Sequence, residues 1–249
     1  MAFLKNLFGG KSTPNYPSDE LVVNGEKLKL TFFAHASLAI EYMDKHIYVD
    51  PVMENAEYDK LPKADIILVT HSHYDHFDRA AVEDVTTKKS AIICDKTTAE
   101  SLDGDAIVMT PGMQAQLDGG IIIEAVAAYN TSEGHTDFHP KAREDNGYII
   151  RFEGLNIYVA GDTEPTEEMK SLKDIDIAFL PVNQPYTMKP EQAVEAVKAA
   201  HANGRKVVLA TNPVFPMAAQ LERISWLGLS ENDFDLVTSF ENSHYCKPN

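Results

Sequence analysis

Cysteine is nearly absent from this chain: its 249 residues hold two, Cys94 and Cys246. Two thiols cannot build a disulfide framework, and their spacing fits no zinc knuckle. Both read as inert thiols, and a reducing cytoplasm is the expected setting. Cations are scarce as well, 22 Lys and Arg against 38 Asp and Glu, for a formal net charge of −16. No Lys/Arg run offsets that balance. The sequence therefore argues against a nucleic-acid binder, because affinity for a phosphate backbone is built from those residues. Long apolar runs are missing too, none reaching the roughly 18 residues of a membrane span. The first ten residues are broken by Lys5, Asn6 and Gly9-Gly10 and lack the apolar centre of a signal peptide. Phe3, Leu4, Leu7 and Phe8 offer only a weak interfacial foothold.

What remains has a globular composition, 44% hydrophobic and 24% charged. Residues 1–20, rich in Gly, Pro, Ser and Asn towards their end, are expected to form a mobile lead-in, and 21–249 a single domain, since no linker-like change of composition follows. Strands are predicted over 28–34, 37–42, 46–49, 65–70, 91–94, 106–109, 121–128, 147–152, 155–160, 175–181 and 206–210. The run from Asp65 to Thr70 is almost wholly apolar, the pattern of a strand covered on both faces. Helices are predicted over 78–88, from a capping-box spacing at Thr97 and Glu100, over 190–202 between Pro190 and Gly204, and over 218–227.

A weak internal repeat links two parts of the chain. Ile40, Tyr42, Ile47, Tyr48 and Val49 match Ile150, Phe152, Ile157, Tyr158 and Val159 at an offset of 110, and Asp65, Ile66, Leu68 and Val69 match Asp176, Ile177, Phe179 and Leu180 at 111. Each copy reads as hairpin, connection, buried strand. Two sheets packed face to face, with helices outside, would bury both.

The chemistry is concentrated where the strand 65–70 ends, in His71-Ser72-His73-Tyr74-Asp75-His76. Residues i and i+2 of an extended chain point the same way, so His71 and His73 can grip one ion. A turn near Tyr74 swings Asp75 and His76 toward a second. Two divalent ions about 4 Å apart can clamp and polarise a water, and imidazole and carboxylate are suitable ligands. Asp162 ends another buried strand after Gly161, where a carboxylate can reach the same sheet edge or, alternatively, cap a helix over 164–172. His35 and Asp50 lie at strand ends. They read as pocket residues or as partners for the outer nitrogen of a ligating histidine, with a plain turn role for Asp50 before Pro51 equally open.

These residues carry a resemblance. His71-x-His73-x-Asp75-His76 after an apolar strand resembles the metal-binding motif of the metallo-β-lactamase-fold hydrolases. Phe33 to Ser37 with Val49 to Val52 resembles that family's opening hairpin, and Tyr158 to Thr163 the strand whose terminal Asp bridges two metals. Phe179 to Met188 resembles a subgroup of metal-dependent hydrolases related to the ascorbate-phosphate lactonase and N-acyl-phosphatidylethanolamine phospholipase D branches. The resemblance runs from about residue 27 to about residue 212. It implies an α/β fold, an αββα four-layer sandwich of two mixed sheets packed face to face with helices outside. It also implies one or two divalent ions, zinc first and manganese or iron as alternatives.

Two departures stand out. No histidine ends the stretch 121–128; the subgroup's AYN and FHPK segments are matched at Ala128-Tyr129-Asn130 and Phe138-His139-Pro140-Lys141, which nominates His139 as the remaining ligand and His135 as the reserve. The late strand runs into Asn212 where the family supplies a histidine, and Asn212 is the poorer ligand; His244 is a distant substitute.

The resemblance implies hydrolysis of an ester, lactone, phosphodiester or amide. Asp75 would orient a metal-activated water and pass a proton to the leaving group. The net charge turns the expectation from anionic polymers to a small or lipid-derived substrate. A metal- or ligand-binding protein with weakened catalysis is the alternative that Asn212 motivates. A di-iron redox enzyme that works with a flavin partner is a third, disfavoured because no flavin-binding module is read in these residues.

Overall fold

A computed structural model of the chain describes residues 14–104, 106–202, 208–209, 217–226, 228–233 and 236–237. Two compact units divide the chain, one of residues 1–67 with 73–92 and the other of residues 68–72 with 93–249.

The first unit is built on the antiparallel strands β1 (Ser18–Val23), β2 (Glu26–Ala34), β3 (Ser37–Tyr42) and β4 (Lys45–Val49). The strands β5 (Ile66–Leu68), β6 (Ala91–Cys94) and β7 (Ala106–Val108) follow in a sheet ordered β1 to β7. Hydrogen bonds from Ala91 N–H to Asp65 and from Val69 N–H to Ile93 advance together along both strands, so β5 and β6 are parallel and the sheet is mixed. Leu28, Ile40 and Ile47 are fully buried, each such side chain contributing about 1.5–3 kcal/mol. Phe33, Tyr48 and Tyr58 form an aromatic cluster with ring centroids 5.5–6.3 Å apart. Helix α1 (Arg79–Val85) starts at Asp78, whose carboxylate accepts the Ala80 N–H at 2.9 Å.

The second unit holds α2 (Lys96–Glu100), β8 (Gln114–Gln116), β9 (Ile122–Ala127), β10 (Asn146–Phe152), β11 (Leu155–Val159), α3 (Glu167–Lys170) and β12 (Ile177–Phe179). These strands form a second mixed sheet ordered β12-β11-β10-β9-β8, with β12 parallel to β11. Helix α4 (Pro190–Ala202), strand β13 (Val208–Leu209), helix α5 (Met217–Ser225) and strand β14 (Leu236–Val237) follow, β13 and β14 pairing in parallel.

The repeat is structural. Leu38 faces Val49 and Ile40 faces Ile47 in one hairpin; Tyr148 faces Val159 and Ile150 faces Ile157 in the other, the same register 110 positions on. The strand after each hairpin is tied in the same way. Asp65 donates its N–H to the His46 carbonyl and accepts the His46 N–H on its carboxylate (2.8 and 2.9 Å), and Asp176 does both with Asn156 (2.9 and 2.7 Å).

Local expectations are corrected in places. Strand β1 begins at Ser18, inside the stretch read as a lead-in. Asp95, not Thr97, caps α2, accepting the N–H groups of Thr97 and Thr98. Thr166, not Asp162, caps the helix that follows Asp162. No helix among the described residues is long and apolar enough to cross a membrane. Asn212, His244 and Cys246 lie outside the described residues.

Candidate metal centre

In the second unit three segments converge on His71, His139 and Asp162. Strand β10 fixes the first: Tyr148 donates its hydroxyl to the Val69 carbonyl (2.9 Å), and the Asn146 N–H donates to the Thr70 carbonyl (3.0 Å). Thr70 and Gly161 are in close approach. A Cβ on Gly161 would stand 2.9 Å from the Asn146 carbonyl and 3.1 Å from Thr70 Cβ, and the residue sits at φ +64°. Only glycine suits that point, and the next residue is Asp162.

The loop carrying His139 is held from both ends. Its Tyr129 N–H donates to the Thr163 hydroxyl (3.0 Å), and the Asn130 N–H to the His139 carbonyl (2.9 Å). Glu164 is fully buried and accepts the Thr131 N–H, the Thr131 hydroxyl and the Ser132 N–H on one oxygen, at 2.8, 3.0 and 2.6 Å. Burial pushes the Glu164 carboxyl up, but those donors outweigh it and hold its pKa below the usual carboxylate value. Its other oxygen is 3.3 Å from His135 Nδ1. The imidazole named as a reserve ligand is therefore turned to Glu164.

His139 and Asp162 meet at 3.4 Å between Nε2 and Oδ2, and the rings of His71 and His139 are edge to face with centroids 5.1 Å apart. Burial works against a charge on His139, yet Asp145 and Asp162 outweigh it and raise its pKa above the ordinary histidine value. Asp145, unread in the sequence, is itself held by Arg143 at 3.0 Å.

In the first unit a turn opens at His73, whose carbonyl accepts the N–H groups of His76 (3.0 Å) and Phe77 (2.9 Å). It brings Asp75 and His76 to His35, at the tip between β2 and β3. One ligand atom from each of the three lies within 4.8 Å of the others. His35 Nε2 and Asp75 Oδ2 are 3.2 Å apart. Asp50, ending β4, places Oδ2 2.8 Å from His76 Nδ1, with both side chains buried. The Asp50 carbonyl in turn accepts the Ser37 hydroxyl.

These donors fit a divalent ion. Ligand atoms about 2.0–2.1 Å from a tetrahedral zinc stand roughly 3.3 Å from one another, the separation of both the His35–Asp75 and His139–Asp162 pairs. Two buried histidines bond a protein oxygen through Nδ1, His71 to Thr70 at 3.0 Å and His76 to Asp50 at 2.8 Å, while His139 Nδ1 stands 3.6 Å from an Asp145 oxygen, beyond hydrogen-bond distance. The Asp50 carboxylate fixes the ring of His76 and leaves its Nε2 on the opposite side, where a metal ion can be held.

Two other features carry no such chemistry. A cavity of about 720 Å³ beside β9, lined by residues including Tyr129, Lys141, Asp145 and Glu168, touches none of these histidines. Cys94 is a buried free thiol whose pKa burial pushes up to about 12, the inert thiol expected.

Comparison with known proteins supplies relatives of the chain. The family described as the beta-lactamase superfamily domain matches residues 29–212. A UPF0173 metal-dependent hydrolase of Flavobacterium johnsoniae is 34% identical over 183 residues, covering 68% of this chain and 78% of that protein. The crystal structure of a candidate metal-dependent hydrolase from Parabacteroides distasonis superposes with a TM-score of 0.76 at 41% identity, over 90% of this chain and 99% of that one. Igni18, a metallo hydrolase of Ignicoccus hospitalis, shares the fold, with a TM-score of 0.59 at 22% identity over 87% and 96% of the two chains.

Proposed function

We propose, from the premise that this chain belongs to the β-lactamase superfamily and is one of its metal-dependent hydrolases, that it cleaves an ester, lactone or phosphodiester of a small or lipid-derived molecule with zinc as its ion. The ligands in this reading are His71, His73, Asp75, His76, His139 and Asp162. One observation carries it: a buried histidine of each unit, His71 and His76, bonds a protein oxygen through Nδ1, as rings do when Nε2 is committed to a metal. Imidazole and carboxylate donors suit zinc, with manganese and iron next.

A bound divalent ion supplies a water of lowered pKa and a positive charge where an oxygen becomes negative. The chain supplies orientation and proton handling. Asp50 fixes the ring of His76, and Asp145 places its charge beside His139. Asp75, partly exposed, orients the attacking water and returns a proton to the leaving group. The net charge of −16 favours a small substrate over an anionic polymer, and a free Cys94 accords with a reducing cytoplasm.

The test is to strip the protein with a chelator, reload it with zinc, manganese or iron, and assay a phosphodiester, a lactone and an ester. Turnover should return with metal and fall about 100-fold or more in Asp75→Asn. A reloaded protein that turns over none of these bond types contradicts the substrate reading.

A further inference from the structure

We infer that His35 is a metal ligand in its own right, forming with Asp75 and His76 a two-histidine, one-carboxylate ion site within the first unit. The inference rests on the metal-centre reading of Asp75 and His76. It goes beyond it by moving His35 from the wall of a pocket to the ion itself.

Three observations on separate parts of the chain converge. The first is the grouping: His35, Asp75 and His76 each offer an atom within a sphere that one ion can span, and His35 Nε2 stands 3.2 Å from Asp75 Oδ2, close to the roughly 3.3 Å between two ligands of a tetrahedral zinc. The second is the backing. His76 is fully buried and Asp50 takes its Nδ1 at 2.8 Å, so its ring is aimed before any ion arrives. The third is backbone strain. His35 and Asp50 have φ of 49° and 46°, a left-handed conformation uncommon for residues with a side chain. Strain of this kind persists where a side chain must be aimed; here it sits at the ligand's tip and at the carboxylate that orients its neighbour.

An ion pair with Asp75 is the competing role for His35. It needs a protonated imidazole, whereas ligation needs a neutral one. Two ligand histidines and one carboxylate leave coordination positions open to water or substrate, a donor set that zinc, iron(II) and manganese accept. His35 and Asp75 are each more than a third accessible, so solvent reaches this group.

The experiment counts ions. Protein freed of metal is dialysed to equilibrium with zinc, and bound metal is measured by elemental analysis, beside His35→Asn and His35→Cys. Asparagine tolerates the left-handed backbone, keeps a polar group and is a poor ligand. Cysteine restores a metal-binding atom. The unsubstituted chain should hold about two ions. His35→Asn should hold about one, with the affinity of the other site lowered about 100-fold or more. In His35→Cys, cobalt(II) should develop an intense thiolate-to-metal absorption band absent from the unsubstituted protein. Equal metal content and affinity in His35→Asn, or no thiolate band in His35→Cys, overturns the inference while the hydrolase reading stands. A parent protein that holds no ion at all overturns that reading first, and with it this one.

Discussion

The carboxylate of Asp50 lies 2.8 Å from Nδ1 of His76, and neither side chain reaches solvent. A buried polar pair of this kind is costly to break, because the survivor is left desolvated with nothing to bond. Asp50→Ala should lower stability by about 1–3 kcal/mol and zinc affinity about 10–100-fold. Denaturant unfolding and a competitive chelator titration read the two effects separately. An unchanged zinc affinity would mean that the pair serves the fold alone.

Gly161 is the hinge on which Asp162 is presented. Alanine there must hold φ +64° with its Cβ 2.9 Å from the Asn146 carbonyl. Gly161→Ala should cost about 1–3 kcal/mol and weaken metal binding with it. Gly104 is the control, because a methyl group added there meets nothing within 4 Å. Gly104→Ala should stay within about 0.5 kcal/mol of the parent.

Glu164 links stability to pH. Its folded pKa is depressed, so the stability it contributes is present above the unfolded carboxylate value, near 4.3, and is lost as pH falls through the lower folded value. Glu164→Gln should be about 1.5–3 kcal/mol less stable near neutrality, and the gap to the parent should narrow as the pH is taken below about 4. A gap that does not change with pH contradicts an ionised Glu164.

Asp65 and Asp176 make the same two-way bond to the strand before them. Replacing either with alanine should cost about 1 kcal/mol, similar for the two because the geometry is repeated. Unequal losses in thermal unfolding would show that the two copies have diverged in how they hold their sheets.

Much of this architecture is legible in the sequence. The hairpins 37–49 and 147–159 are visible in their apolar alternation, and β3, β6 and α4 begin and end where their patterns do. His71 to His76 declares itself by the density of ligand-grade side chains. What stays hidden is long-range. Asp50 and His76 are 26 positions apart, and Asp50 before a proline looks equally like a turn residue. Asp145 and Glu164 lie in segments without periodicity; only the folded loop shows that one backs His139 and the other grips Thr131 and Ser132. Strand β8 reads Gln-Ala-Gln and α3 has four residues, too polar or too short to leave a pattern. One signal is in plain sight. Asp65 and Asp176 match within the repeat, and a polar match among apolar ones marks the two-way bond that both copies share.

Elemental analysis of the chain, expressed in medium supplemented with zinc and dialysed against metal-free buffer, tests the central claim most directly when run beside His71→Asn and Asp162→Asn. The account predicts zinc that stays with the folded parent protein and is depleted in both variants. Background zinc in the parent, or the same content in all three proteins, would contradict it.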